Sequence, residues 1–184
     1  MPLHFNIQRY TDNDRDLLPH WINRCHLPSC KPYIFNCNKT ENSYRFTGAL
    51  AANCLMPAVN FTLSYTVTGN QLTVSIDYTV ADYVQSLPRF GLEFGVEKNF
   101  CNFSYVGFGP GESYIDKHAA CHYGYYVSSA EENYERGYVH PQESGSHYAC
   151  RYLALKDLFC VTADAPFSCS VNPFTTEQLC ETRH

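Results

Sequence analysis

The segment Asn60-Phe-Thr-Leu-Ser-Tyr-Thr-Val-Thr-Gly-Asn-Gln-Leu-Thr-Val-Ser-Ile-Asp-Tyr-Thr-Val80 decides the fold class. Large apolar and small polar side chains alternate in both of its halves, as they do in strands with one buried face. Gly69 and Asn70 separate the halves, and this pair favours the tight turns that connect antiparallel strands. The segment is therefore predicted to form a β-hairpin with strands at 60–68 and 71–80.

Further strand-like runs lie on both sides of this hairpin. They cover residues 44–50, 90–96, 100–107, 148–155, 158–161 and 167–171. We expect a Gly- and Pro-rich loop at 107–118, a partly irregular segment at 119–127 and a helical turn within 17–24. Thr175, with Gln178 three residues later, has the pattern of a capping box that starts a short helix. Many strands and little helix predict an all-β fold, an antiparallel β-sandwich, with residues 1–184 as a single domain.

The composition is typical of a globular protein, with 45% hydrophobic and 17% charged residues. The formal net charge is −5, and the positive residues form no basic stripe of the kind that phosphate backbones require. We therefore expect no nucleic-acid partner. No apolar run reaches the length that spans a bilayer, so we expect no membrane partner either.

The ten cysteines allow two interpretations. An even number, together with Asn-x-Ser/Thr sequons at Asn38, Asn60 and Asn102, is compatible with a secreted disulfide scaffold. Reduced thiols that pack as small hydrophobic groups are favoured, because several cysteines lie inside apolar runs and a chain of this length folds without cross-links. No Cys-x-x-Cys pair occurs, so no metal site is predicted.

Other catalytic patterns are weak. Ser144 lacks the Gly-x-Ser-x-Gly context of a nucleophile elbow. The run Gly107-Phe-Gly-Pro-Gly111 is rich in glycine, but proline removes a backbone donor and no Lys-Ser/Thr pair follows, so it is no phosphate-binding loop. Paired carboxylates, the groups that cleave glycosidic bonds, stay open because sequence gives no distances between loop carboxylates.

Five motifs, in order, cover nearly the whole chain. They are Thr11-Asp-Asn-Asp14, Leu87-Pro-Arg-Phe-Gly-Leu92, Tyr105-Val-Gly-Phe-Gly-Pro-Gly-Glu-Ser-Tyr-Ile-Asp116, Tyr138-Val-His-Pro-Gln-Glu-Ser-Gly145 and Phe174-Thr-Thr-Glu-Gln-Leu-Cys-Glu-Thr182. Together they resemble the C-terminal domain of glycoside hydrolase family 2 β-galactosidases. Arg9-Tyr10 stands where that family usually has Arg-Ala-Pro, and the abundance of cysteine is not a family feature.

The resemblance implies a galactose mutarotase-like β-supersandwich, which this chain would contain as a fragment incomplete at both ends. It also implies a parent enzyme that hydrolyses terminal β-D-galactosides such as lactose. In that family the catalytic glutamates and the magnesium and sodium ligands lie in other parts of the enzyme, chiefly a β/α barrel. We therefore expect no catalytic residue and no cofactor in this chain, and an isolated chain that is inactive. The expected partners are the barrel and other domains of an oligomeric cytoplasmic parent.

The resemblance also divides the motif residues by role. Structural roles are expected for Arg89, Gly107, Gly109, Pro110, Gly111, Glu112, Pro141, Glu143 and Gly145. Among these, Arg89 is predicted to lie inside a strand as an ion-pair partner of Glu112 or Asp116. The substrate-binding candidates, from two loops, are Asp12, Asn13, Asp14, Glu112 and Asp116. The alternative function is a free-standing carbohydrate-binding or mutarotase-like β-sandwich protein.

Overall fold

A computed structural model describes residues 3–11, 16–53, 55–139 and 142–181 of the 184-residue chain. The strands within these residues are β1 (His4–Asn6), β2 (Lys31–Lys39), β3 (Ser43–Ala51), β4 (Val59–Thr68), β5 (Gln71–Val80), β6 (Gly91–Glu93), β7 (Asn102–Gly109), β8 (His122–Ser129), β9 (Ser146–Leu155) and β10 (Phe159–Ser170). The helical segments are a π-helical turn (His20–Arg24), two 3-10 turns (Leu27–Ser29 and Lys98–Phe100), α1 (Ala130–Asn133) and α2 (Thr176–Glu181).

Every strand pair in the described residues is antiparallel. The predicted all-β antiparallel fold is therefore confirmed. The supersandwich arrangement and the incomplete ends stay predictions.

The described chain divides into two compact units. The N-terminal unit contains residues 4–8, 16–53 and 55–93, and the C-terminal unit contains Leu3, residues 9–11 and the described residues from Phe94 onwards. The prediction that residues 1–184 form one domain stays a prediction.

The N-terminal unit is built on a four-stranded sheet with the order β2-β3-β4-β5. The predicted hairpin is present, because β4 and β5 pair from Val59 opposite Val80 to Thr68 opposite Gln71. Gly69 in the turn has a φ of +61°, a conformation that glycine adopts without a steric penalty. Strands β1 and β6 form a separate two-stranded sheet in the same unit.

The core of the N-terminal unit lies on one face of this sheet. Val59 and Phe61 of β4 are buried there with Trp21 and Leu27 from the helical turns. The indole N–H of Trp21 donates to the carbonyl oxygen of Ser86 at 3.1 Å, which satisfies its polar atom inside an apolar cluster. Burial decreases along the hairpin towards its turn.

The C-terminal unit is built on a second four-stranded sheet, with the order β10-β9-β7-β8. Phe103 and Tyr105 of β7 are buried with Cys150 of β9 on one face of it. A Cβ atom at Gly107 would lie 2.5 Å from the Cys150 sulfur, so the strands approach closely because this position has no side chain. The strand predicted at 100–107 corresponds to β7, which begins at Asn102 and ends at Gly109.

Several sequence predictions differ from the structure. Strand β2 was not predicted; it is an exposed edge strand with Pro32 near its start, and edge strands tolerate proline. The segment predicted as partly irregular contains β8, whose apolar face is exposed and whose run is interrupted by Gly124. The two strands predicted at 158–161 and 167–171 are one edge strand, β10, with a register shift between Thr162 and Phe167.

The strand predicted at 90–96 is wrong in extent, because β6 has three residues. Arg89 precedes β6 by two residues and therefore does not lie inside a strand, which corrects the prediction made for it. By contrast, the capping box of α2 is confirmed. The backbone N–H of Gln178 donates to Thr175 Oγ1 at 3.2 Å, and the N–H of Thr175 donates to Gln178 Oε1 at 2.9 Å.

Candidate functional site

The loop between β7 and β8, residues 110–121, is held against the C-terminal sheet by a buried serine. Ser113 is fully buried, and its hydroxyl donates to the carbonyl oxygen of Phe108 at 2.9 Å. The Ser113 hydroxyl oxygen accepts from the N–H of Tyr148 at 2.9 Å, and the N–H of Ser113 donates to the carbonyl oxygen of Ser146 at 2.7 Å. The first turn of the loop is thus joined to both β7 and β9, which gives the neighbouring Glu112 a defined position.

Glu112 is the centre of a hydrogen-bonded cluster, which we call the Glu112 cluster. Its Oε1 accepts from the Lys117 ammonium at 2.5 Å and from the Tyr138 hydroxyl. Its Oε2 accepts from the Gly145 N–H at 3.1 Å and from the Tyr114 hydroxyl at 3.2 Å. Both carboxylate oxygens are therefore occupied by protein donors. The Glu112 side chain is 13% exposed, so these donors replace most of the water that would otherwise solvate it.

The electrostatics of the cluster favour an ionised carboxylate. Burial by itself raises the pKa of Glu112, but the hydrogen bonds from Lys117, Tyr138 and Gly145 outweigh burial and lower the pKa below its ordinary value. Burial, followed by the nearby carboxylates of Glu112 and Glu143, raises the pKa of Tyr114, which therefore stays a hydroxyl donor. Glu112 acts as an anionic acceptor across the whole physiological range.

Two of the sequence motifs, 105–116 and 138–145, meet here with the residues that directly precede a third. The Arg9 guanidinium lies over the ring of Tyr114, with its carbon 5.1 Å from the ring centre, a cation–π geometry. The N–H of Glu143 donates to the carbonyl oxygen of Tyr10 at 2.8 Å. The segment at residues 9–10, the glycine-rich loop and the segment at 142–145 therefore belong to one polar structure.

The backbone at Gly145 is supported by Asn133 at the end of α1. Gly145 has a φ of +68°, and an added Cβ would lie 2.5 Å from Asn133 Nδ2, so glycine is required on both grounds. Asn133 Nδ2 donates to the carbonyl oxygens of Gly145 and Val171, at 2.7 and 3.1 Å. These two acceptors fix the orientation of the amide, and Oδ1 then accepts from His147 Nε2 at 2.8 Å.

His147 is buried as a neutral ring beneath this structure. It is 1% exposed and stacks on Tyr105, with ring centres 3.8 Å apart. Burial lowers its pKa from 6.5 to about 4, because the charged imidazolium would be poorly solvated there. The ring therefore serves as a packed hydrogen-bond donor to Asn133 and not as a proton carrier near neutral pH.

The remaining predicted residues lie in varied places. Asp116 is exposed and, among the described residues, takes no part in the hydrogen bonds around Glu112. Gly111 faces open space, whereas a Cβ at Gly109 would lie 2.8 Å from the Tyr126 ring; the Gly109–Pro110 peptide bond is cis. Arg89 is half-buried in the N-terminal unit. The predictions for Asp12, Asn13, Asp14 and Pro141 concern positions outside the described residues.

Several members of this site are not among the residues that the sequence predicts for it. They are Arg9, Tyr114, Lys117, Asn133, Tyr138 and His147. Tyr114 and Tyr138 lie in the motifs that contain Glu112 and Glu143, so their place in these motifs is a sequence signal that could have identified them. Asn133 and His147 belong to no motif, and only the fold brings them together.

The main chemical property of this site is a carboxylate, Glu112, that stays ionised and is held in one position by hydrogen bonds. A general acid for glycoside cleavage needs a carboxyl group whose pKa is raised, and the cluster lowers the pKa of Glu112 instead. No three His, Cys, Asp or Glu side chains of the described residues are grouped so that they would hold a metal ion. The geometry defines an antiparallel β fold in which the motif residues of the C-terminal unit hold the loop at 110–121 in place.

Comparison with known proteins identifies the family. The sequence model of the β-galactosidase small chain matches residues 1–184, so the chain belongs to that family. Similar proteins include the β-galactosidase of Actinobacillus pleuropneumoniae, 36% identical over the whole chain and 18% of that protein's length. Another is the β-galactosidase of Staphylococcus xylosus, 30% identical over 95% of this chain and 18% of its own length.

A third relative, the β-galactosidase of Kluyveromyces lactis, is 33% identical over 50% of the chain and 9% of its own length. The chain therefore spans less than a fifth of the relatives that it matches. None of the described helices combines the length and the apolar character that crossing a membrane requires.

Proposed function

We propose that this chain is the C-terminal domain of a glycoside hydrolase family 2 β-galactosidase, and that it shapes the active-site cleft and the assembly without supplying catalytic glutamates. One observation carries the proposal. The small-chain family matches residues 1–184, whereas relatives named β-galactosidase are matched over only 18% of their length. The parent enzyme hydrolyses terminal β-D-galactosides such as lactose, and most of its chain lies in other domains.

The Glu112 cluster supports a structural role for this carboxylate. All four donors, from Lys117, Tyr138, Tyr114 and Gly145, come from the protein itself. A sugar hydroxyl would have to displace one of these donors, and leaving a buried donor unpaired costs about 1–3 kcal/mol. We therefore assign Glu112 to the positioning of the loop at 110–121, and retain exposed Asp116 as the substrate-binding candidate among the described residues.

The apolar surface near the β4–β5 turn supports an assembly with further domains. Val67 is 52% exposed and Leu72 is 57% exposed, although both lie on the strand face that is buried further along the hairpin. Exposed apolar side chains on a sheet face are typical of surfaces that another protein element covers. We propose that the other domains of an oligomeric parent provide that cover.

The remaining parts of the proposal follow from the resemblance to family 2 enzymes. The catalytic glutamates and the ligands for magnesium and sodium are assigned to the other domains, and the parent is assigned to the cytoplasm. The isolated chain is proposed to be inactive, because it would contain neither the catalytic glutamates nor the metal ligands.

The test is an assay with a chromogenic β-galactoside on two samples. One is the chain alone, with circular dichroism recorded to establish that its strands are formed, and the other is the full-length enzyme. We expect hydrolysis by the full-length enzyme only. Hydrolysis by the folded chain alone, abolished by replacing one of its own carboxylates, would contradict the proposal.

A further inference from the structure

Cys150 and Cys169 form a close thiol pair in the C-terminal unit. They lie on the neighbouring strands β9 and β10, and their sulfur atoms are 3.5 Å apart, with the Cys169 thiol donating to Cys150. The eight described cysteines are all free thiols, and among them these two are the pair whose sulfurs make a direct contact.

The local backbone allows the two sulfurs to approach further. Strand β10 changes register between Phe167 and Cys169, where it is opposite Cys150 and His147 of β9. Such a shift lets an edge strand adjust locally without disturbing the rest of the sheet. On the other side, Gly107 of β7 leaves the space that the Cys150 sulfur occupies.

We propose that Cys150 and Cys169 are a redox modification site, which hydrogen peroxide converts into a disulfide that joins β9 to β10. The Cys150 thiolate attacks one oxygen of the peroxide, the O–O bond breaks, and the hydroxide released takes up the proton that the thiol lost. The Cys169 sulfur then attacks the resulting sulfenic acid, the S–O bond breaks, and water leaves with the Cys169 proton. Two thiols are oxidised to one disulfide, and one peroxide is reduced to two waters.

The roles of the two cysteines follow from their contact, and their exposure limits the size of the oxidant. The thiol hydrogen bond from Cys169 lowers the pKa of Cys150, and the same hydrogen bond raises the pKa of Cys169. The geometry points the same way, because a sulfur that accepts a hydrogen bond is better able to carry the negative charge of a thiolate; Cys150 accepts from the Cys169 thiol at 3.5 Å, so we assign the first attack to Cys150 and the resolving step to Cys169. Cys150 is fully buried, whereas Cys169 is partly exposed, so a small oxidant such as peroxide is required.

The experiment treats the native folded protein with hydrogen peroxide, unfolds it in an alkylating agent and identifies the cross-linked peptides by mass spectrometry. Cleavage after Arg136 and Arg151 isolates Cys150 from the other cysteines, and cleavage after Phe167 and Phe174 isolates Cys169. We expect a peptide that links these two cysteines, the loss of two alkylatable thiols and reversal by dithiothreitol.

Two variants make the test specific. In Cys169→Ser, the cross-link is lost and a Cys150 sulfenic acid accumulates, which a dimedone probe labels. The matched control is Cys160→Ser, an exposed position on the same strand β10, which keeps the cross-link at the wild-type level. The proposal is overturned if Cys150 stays reduced under peroxide, if it pairs with another cysteine, or if Cys160→Ser loses the Cys150–Cys169 cross-link.

Discussion

The two units of this chain hold their structures together by different means. In the N-terminal unit, apolar side chains such as Phe61, Val59 and Trp21 pack on one face of a sheet. The C-terminal unit adds a polar network to its apolar cluster around Phe103: Ser113 and His147 are buried, Glu112 is mostly covered, and all three are held by specific hydrogen bonds. Apolar packing tolerates exchange between similar side chains, whereas a buried polar network requires particular residues. The recognisable motifs accordingly concentrate in the second unit.

The largest expected effect is in the apolar core of the N-terminal unit. Replacing Phe61 by alanine removes a ring that is 4% exposed and lies 4.5 Å from the ring of Phe5. We expect a loss of about 3–5 kcal/mol in the free energy of unfolding, because the cavity closes only in part. Urea unfolding measures the loss. Phe35→Ala, at a ring that is 66% exposed on edge strand β2, is the control and should change stability by about 0.5 kcal/mol or less.

The next effect tests the polar network through pH. The pKa of His147 is 6.5 in an ordinary environment and about 4 in the fold, so the unfolded chain binds more protons between these values. The stability that His147 contributes is therefore complete above pH 6.5 and falls with pH, by roughly 3 kcal/mol once pH 4 is reached.

Thermal unfolding between pH 4 and pH 7 measures this effect. His147→Gln should have a shallower dependence on pH in this range, whereas exposed His122→Gln should keep the wild-type dependence. If the stability of the wild type and of His147→Gln depends on pH to the same extent, then burial does not lower the pKa of His147 and this prediction is wrong.

A smaller effect is expected at the centre of the Glu112 cluster. Glu112→Gln keeps the shape but loses the anion that accepts from Lys117, and we expect stability to fall by about 2 kcal/mol at neutral pH. Because the folded pKa of Glu112 is lowered, its contribution is present above its ordinary value of 4.5 and is lost as pH falls through the folded pKa. The difference in the free energy of unfolding between Glu112→Gln and the wild type should therefore become smaller as pH falls below 4.5. Asp116→Asn, in the same loop but exposed, is the control and should leave stability unchanged.

The smallest effect concerns the capping box of α2. Thr175→Ala removes the hydroxyl that accepts the Gln178 N–H, and we expect a loss of about 1 kcal/mol. Thermal unfolding followed by circular dichroism measures it. Thr175→Ser retains the hydroxyl and should retain most of the wild-type stability; equal losses in both variants would show that the cap contributes nothing.

The difference between the units also explains which features the sequence predicts. Alternation predicted the β4–β5 hairpin to within one residue, because alternate side chains of β4 face the core and those of β5 follow the same apolar–polar pattern on the paired strand. Strands β2 and β8 were missed because neither alternates cleanly: β2 has three consecutive apolar residues, Tyr33 to Phe35, and β8 is interrupted by Gly124. Motif resemblance selected Glu112 and Gly145, which the structure joins by a hydrogen bond. Asn133 and Lys117 were missed, because hydrogen-bond partners across a fold have no fixed spacing in sequence.

The most direct test of a structural role for the Glu112 cluster uses the full-length β-galactosidase with Glu112→Gln. The measurement is kcat and KM across pH, together with the melting temperature of the same preparation. We predict that activity per folded molecule and the shape of the pH–rate profile match those of the wild type, while the melting temperature falls. A large fall in kcat at an unchanged melting temperature, with a shifted pH–rate profile, would contradict the account and place Glu112 in the catalytic machinery.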